Sequence, residues 1–406
     1  MTPVMSPMRT AIIGGLLVAM GSISMALYTP AMPTLVRTFQ TDPATIKLTL
    51  TVYFAGFSLA QLISGPVSDA FGRRPTTLAF FVIYILGSLI CAVTPTVDWL
   101  LVGRVLQGIG AAAGVALSRA MVRDQFTGQA SAQIMNAIGI TLTLGPALSP
   151  TLGGLLLTSF GWHSIFIAMV IYGCGLAALV TFALPETLPQ RDPSKLQPRT
   201  ILRNYSILLF DSRFVRPTLV MALSVGGLYT MAAILPFVLV DQVGLTPTQF
   251  GMGMLLQSGS FLLGSLIVSR ILKHRDARKV VPFGLAAILI SGLTMAVVLR
   301  VIEPSFLSVM LPVGIWAFGL AFVLPAITTD ALAPFPKVAG SASALMGFLQ
   351  IGAGFAGTLV SALFAEPLTA LATLLPLMGL ATALIYASGG KSGRKPGTAS
   401  GVAPAE

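Results

Sequence analysis

Long apolar runs of some twenty residues, separated by short polar breaks, dominate this chain. At 1.5 Å per residue, about twenty helical residues cross a bilayer's hydrocarbon core of about 30 Å. Six such runs fall at about 11–33, 47–68, 77–94, 99–121, 133–158 and 162–184. Six more follow at about 217–240, 249–269, 280–300, 306–328, 340–364 and 368–388. The pattern predicts an all-α integral membrane protein with twelve transmembrane helices. The first run is too long for the apolar part of a signal peptide and lacks a small-x-small cleavage site, so it is expected to stay as a helix. Between the two sets lies a polar, Pro-rich connector, 185–216, carrying Arg191, Lys195, Arg199, Arg203, Arg213 and Arg216. Ile201, Tyr205 and Leu208 recur within it at helical spacing, which predicts a short helix lying on the inner membrane face. The resulting division is a six-helix bundle over 1–184, a cytoplasmic basic linker over 185–216, and a second bundle over 217–390. The tail, 391–406, is expected to be disordered.

Composition agrees with this and narrows the partners. Of 406 residues, 55% are hydrophobic and 9% charged, where soluble proteins carry about 25% charge; mean hydropathy is +0.89. The net charge of +11 could suggest nucleic acid. By this segmentation, however, roughly 20 of the 24 Lys and Arg fall on one side: the N-terminus, alternate loops and the tail. That asymmetry reports topology, with both termini cytoplasmic, and no nucleic-acid partner is expected. Cys91 and Cys174 sit in different runs, and His163 and His274 have no ligand spacing. No metal or cofactor is therefore expected. A membrane enzyme is disfavoured as well, because no nucleophile–histidine arrangement and no intramembrane carboxylate pair is present. A monomer is expected.

One run departs from the apolar rule. The stretch 99–124, WLLVGRVLQGIGAAAGVALSRAMVRD, carries Arg104 well inside its apolar part, with Gln107 one turn on. Gly110 and Gly114 form a small-xxx-small step that lets another helix approach closely. An arginine at the centre of a membrane helix costs about 3 to 17 kcal/mol, so it normally faces protein or water. Two readings stand: a functional charge in a water-filled cavity, or an arginine snorkelling to the interface about 7 Å away at Trp99.

Arg104-x-x-Gln107-Gly108-x-Gly110-Ala111-Ala112 resembles the fourth-helix motif of the major facilitator superfamily, in particular its drug–proton antiporters. Gly65-Pro66-Val67-Ser68-Asp69-Ala70-Phe71-Gly72-Arg73-Arg74-Pro75 resembles the superfamily's signature loop between the second and third helices, with Ala70 where a basic residue is usual. The end of the first run, Ala26-Leu27-Tyr28-Thr29-Pro30-Ala31-Met32-Pro33, resembles the bicyclomycin- and chloramphenicol-resistance branch; Ala26 stands where that branch usually has an aspartate. In the fifth run, Gly145-Pro146-x-x-Ser149-Pro150-x-x-Gly153-Gly154 is similar to a drug-exporter motif. It reads either as a gating kink or as a kinked helix with only a packing role. Leu184-Pro185-Glu186-Thr187-Leu188, Pro236-Phe237-Val238-Leu239 and the run from Phe335 to Leu345 continue the resemblance.

The resemblance implies two six-helix bundles around a midplane site, rocking to export an amphipathic drug in exchange for protons. A metabolite exporter or facilitator of the same superfamily is the alternative. It also implies transport or coupling roles for Arg104, Asp69, Arg73, Arg74, Arg123 and Asp98. Asp69 and Arg123 are expected to pair when the inner side is closed, with Asp69 near the start of the eleventh run at 339–341. Tyr28, Gln61, Gln107, Asn136, Tyr229, Gln257, Trp316 and Gln350 are candidate cavity residues, each otherwise an interhelical hydrogen bond or plain packing. Every acidic residue lies near a run's end or in a loop. An electropositive cavity follows, favouring neutral or anionic drugs such as phenicols over lipophilic cations.

Overall fold

The computed structural model describes residues 4–389 apart from 189, 273 and 276; of residues 132, 136, 140–144, 146, 277, 337 and 389 only the backbone is described. The predicted tail and the Asn136 and Pro146 side chains fall outside these. Helix dominates. The first six long helices are α1 (Pro7–Tyr28), α2 (Pro43–Phe71), α3 (Arg73–Val93), α4 (Val97–Gln125), α5 (Gly128–Phe160) and α6 (His163–Ala183). The connector holds α7 (Pro198–Leu209), and α8 (Ser212–Pro236), α9 (Pro247–Ile271), α10 (Ala277–Val301), α11 (Phe306–Leu332), α12 (Ala339–Ser361) and α13 (Pro367–Gly389) complete the chain.

Local chemistry sets the boundaries, which run a turn or so past the apolar runs. Asp42 caps α2, accepting from the Thr45 N–H at 2.9 Å, and the Thr45 hydroxyl holds its carboxyl below the usual range. Thr246 and Gln249 form a reciprocal capping box at α9. The α2–α3 turn needs Gly72: its φ is +107°, and a Cβ there would stand 2.5 Å from a Glu186 carboxylate oxygen. The far end of α8 loosens into a π-helical turn, Phe237–Gln242.

Helix pairing repeats across the chain. In the first set α1 packs on α4 and α5, α2 and α3 on α4, and α3 on α6. In the second set α8 packs on α11 and α12, α9 and α10 on α11, and α10 on α13. Two pairs join the sets, α2 with α12 and α5 with α9, which exchange under the same internal repeat.

α4 is the hub of the first set, and its glycines show why. A Cβ at Gly108 would clash with the Tyr53 carbonyl of α2, one at Gly114 with the Leu17 carbonyl of α1, and one at Gly110 with Tyr84 of α3. The Gly110–Gly114 step thus serves two different neighbours rather than one. Exposed Val82, Leu86, Leu152, Ile171, Phe182, Leu263 and Val297 cover the outer surface, as lipid contact requires. α7 forms where the helical spacing predicts a short helix. Tyr205 and Leu208 pack inward on Phe214, Ala331 and Leu345, and the Tyr205 hydroxyl donates to the Leu62 carbonyl at 2.7 Å. Its exposed apolar side is instead Leu202, Ile207 and Leu209.

Candidate functional site

The face that carries the linker is built around Arg73, only 2% exposed. Its guanidinium bonds Asp69 Oδ1 at 2.5 Å and Asp124 Oδ2 at 2.8 Å. Arg73 therefore takes the place of the basic residue missing at Ala70. Glu186 accepts the backbone N–H groups of Arg73 and Arg74, satisfying free donors at the start of α3. Arg74 donates to the Thr181 carbonyl. The expected Asp69–Arg123 pair is not formed here: Asp69 is held by Arg73, and Arg123 lines an open cavity beside Gly340 at the start of α12.

That cavity, about 800 Å³, opens on the linker face between the two sets of helices. A second chamber of about 110 Å³ lies deeper, walled by Val18, Met25, Phe54, Phe57, Tyr229 and Met346, with Gln350 in its lining. Gln61, Val115 and Arg119 line both chambers and so form the neck between them.

The opposite face is sealed. Arg37 pairs with Asp241 at 3.0 Å, and Thr51 donates to Thr358 at 3.0 Å. Lys47, 1% exposed, points its Nζ at the Ser361 carbonyl (3.4 Å) and lies 5.5 Å from the Phe237 ring centre. A helix C-terminus is a favourable place for a cation. The fifth-helix motif closes the same face: a Cβ at Gly154 would strike the Pro247 carbonyl of α9, one at Gly251 the Pro150 carbonyl of α5, and one at Gly153 the Leu27 carbonyl of α1. Gly145 lies against Ser22. The helix continues through the motif, and its described glycines pack closely on α1 and α9.

Arg104 is not in the cavity. It is fully buried inside the first set, its guanidinium 4.4 Å from the ring centres of both Tyr28 and Tyr53 and bonded to Gln107 Oε1 at 2.8 Å. Being fully buried, it does not snorkel either. The Tyr28 hydroxyl pairs with Thr49 at 2.6 Å, the Tyr53 hydroxyl donates to the Gly21 carbonyl at 2.8 Å, and Gln107 donates to Ser88 at 2.8 Å. One arginine thus ties α1, α2 and α4 together. A desolvated cation–π contact is worth about 2 kcal/mol or more, and two of them offset part of the burial cost. Arg104 Nε and Nη2 have no partner.

Of the expected cavity residues, Gln61, Tyr229 and Gln350 do line it. Tyr28 and Gln107 belong to the buried Arg104 cluster. Trp316 is sealed within the second set, its Nε1 donating to the Ser224 carbonyl at 3.0 Å. Gln257 on α9 is half-buried outside both chambers, and Asp98 is exposed in the first turn of α4, away from the linker face. Arg119 and Lys47 are the charges that sequence reasoning passed over. Arg119 stood close to a run's end, and Lys47 opened one. Their burial comes from the contact between the two sets, which no single run reveals. Among the described residues, no group of three or more His, Cys, Asp or Glu is placed to hold a metal.

Comparison with known proteins agrees with this architecture. The profile of the Major Facilitator Superfamily matches residues 14–358. An uncharacterized MFS-type transporter, YdgK of Bacillus subtilis, is 32% identical over 360 residues, 86% of each chain. A bicyclomycin resistance protein homolog of Haemophilus influenzae is 28% identical over 86% of this chain and 88% of its own. The xylose transporter XylE from E. coli, in a partially occluded inward-open conformation, superposes with a TM-score of 0.74 at 13% identity, covering 96% of this chain and 99% of its own. Helix pairing, the Asp69–Arg73 loop and the matched profile agree: this chain belongs to the major facilitator superfamily, as a multi-pass membrane transporter with that superfamily's fold.

Proposed function

We propose that this transporter exports amphipathic drugs from the cytoplasm by alternating access, in exchange for protons, and that it prefers neutral or anionic compounds, phenicol-like antibiotics among them. The observation that carries this reading is the two-chambered cavity between the helix sets, apolar and aromatic in its depth and sealed on the far side. Such a shape accepts a small amphiphile and holds its polar end with a few side chains. The similarity to a bicyclomycin resistance protein homolog supports a drug as cargo. The positive-inside bias of the loops supports a cytoplasmic linker face and cytoplasmic termini, in a bacterial inner membrane, with the protein acting as a monomer.

The charge preference follows from what surrounds the deep chamber. Among the described residues its lining contains Arg119 and no carboxylate. Proton exchange would then run through acids at the helix ends, Asp69 in the vestibule among them. Growth of a pump-deficient host across a drug panel tests this. Expression should raise the inhibitory concentration of a phenicol several-fold and that of ethidium little. No protection against any compound would reject drug export and leave the alternative, a metabolite exporter or facilitator.

A further inference from the structure

Arg119 is a charge that faces the transport path at its narrowest point. It sits at the neck, and its Nη1 donates to Ser343 Oγ in the first turn of α12 at 2.7 Å, a bond between the two sets of helices. Among the described residues it has no carboxylate within ion-pair distance. Its remaining donors have no protein partner, and unlike those of Arg104 they are not sealed from the cavity. Gln61 stands at the same neck, 3% exposed, with its carboxamide oxygen buried and without a partner. A cation with spare donors facing an open cavity is an incomplete site. Arg123 adds a second positive charge in the vestibule, near the N-terminal turn of α12.

We infer that this neck is a subsite for the carboxylate of an amphipathic organic anion. Arg119 donates to the carboxylate at the neck. The apolar body lies in the deep chamber against Met25, Phe54, Phe57 and Met346. The inference deepens the export reading by naming the favoured charge and the group that reads it, and binding tests it without transport.

Equilibrium dialysis of the purified full-length protein against 1-naphthylacetate and its neutral amide isolates the charge. Hydrogen bonds to charged groups are strong enough for a preference for the acid of at least about tenfold. Arg119→Gln should bring that ratio close to one. Arg119→Lys keeps the charge but not the planar fork, so it should lower the ratio without abolishing it. It also keeps the test alive if the glutamine variant does not fold. Ser343→Ala frees Arg119 from its protein partner and should hold or raise the ratio. Equal affinities in the wild type, a preference that survives Arg119→Gln, or its loss in Ser343→Ala would each overturn the subsite. Drug export without an anion preference would remove the subsite alone. An Arg119-dependent preference without drug export would remove only the choice of cargo.

Discussion

Arg104 and Arg119 share one helix and meet opposite fates. Fifteen residues apart, about 22 Å along the axis, one is walled in by two tyrosines and the other stands in a cavity. The sequence marked Arg104 as a charge too costly to be idle. It could not tell a water-filled cavity from a tyrosine cage, because Tyr28 and Tyr53 come from two other helices. Arg104→Ala should leave both rings without their shared partner, lowering the thermal midpoint and abolishing transport. Arg104→Lys should recover little of either, since an ammonium cannot stack flat between two rings. A thermal-shift measurement on the purified variants checks this, and a wild-type midpoint for Arg104→Ala would refute the caged role. Lys47 holds the far side through the Ser361 carbonyl and Phe237. Lys47→Met keeps the bulk and removes the charge. It should loosen the seal, and a cysteine placed at Thr358 should then label faster from the far side than in the Lys47 background.

At the scale of helices, small residues decide who packs on whom. The small residues of 99–121 pointed to close helix approach, and those of 133–158 were open between a gating kink and a packing role. The sequence left open which neighbour each glycine meets, because that depends on rotation about the helix axis. In the structure Gly154 and Gly251 form a reciprocal contact that brings α5 and α9 backbone to backbone. Both helices pass through this contact without room for a methyl group. Gly154→Val should therefore hold the far side apart and favour the state open there. Cross-linking of cysteines replacing Arg37 and Asp241 reports it: the pair should form readily in the wild-type background and at least several-fold less in Gly154→Val. Equal cross-linking would mean that the glycine contact does not close this face.

For the whole molecule, the described state is open on the linker face and shut on the other. The superfamily, the twelve runs and the basic linker were legible because bilayer thickness and charge bias act on the sequence directly. The conformational state was not, since it is a choice between two arrangements of the same helices. In this state Asp69 is committed to Arg73, while Arg123 waits across the vestibule beside α12. Closing that face would bring Asp69 toward Arg123 and the α12 N-terminus, where an anion is favoured. Asp69→Asn should then slow transport several-fold without changing expression or the thermal midpoint; wild-type rates in that variant would refute the latch.

Export of neutral or anionic amphiphiles in exchange for protons joins the cavity, its charge and its two faces into one activity. Its most direct test is uptake into inverted membrane vesicles whose lumen has been acidified, so that protons flow outward as drug enters, comparing chloramphenicol with ethidium, with and without a protonophore. Chloramphenicol should accumulate at least several-fold above ethidium, and the accumulation should be lost when the protonophore is added. Ethidium accumulation matching or exceeding that of chloramphenicol would contradict the electropositive cavity, and accumulation unaffected by the protonophore would contradict proton exchange.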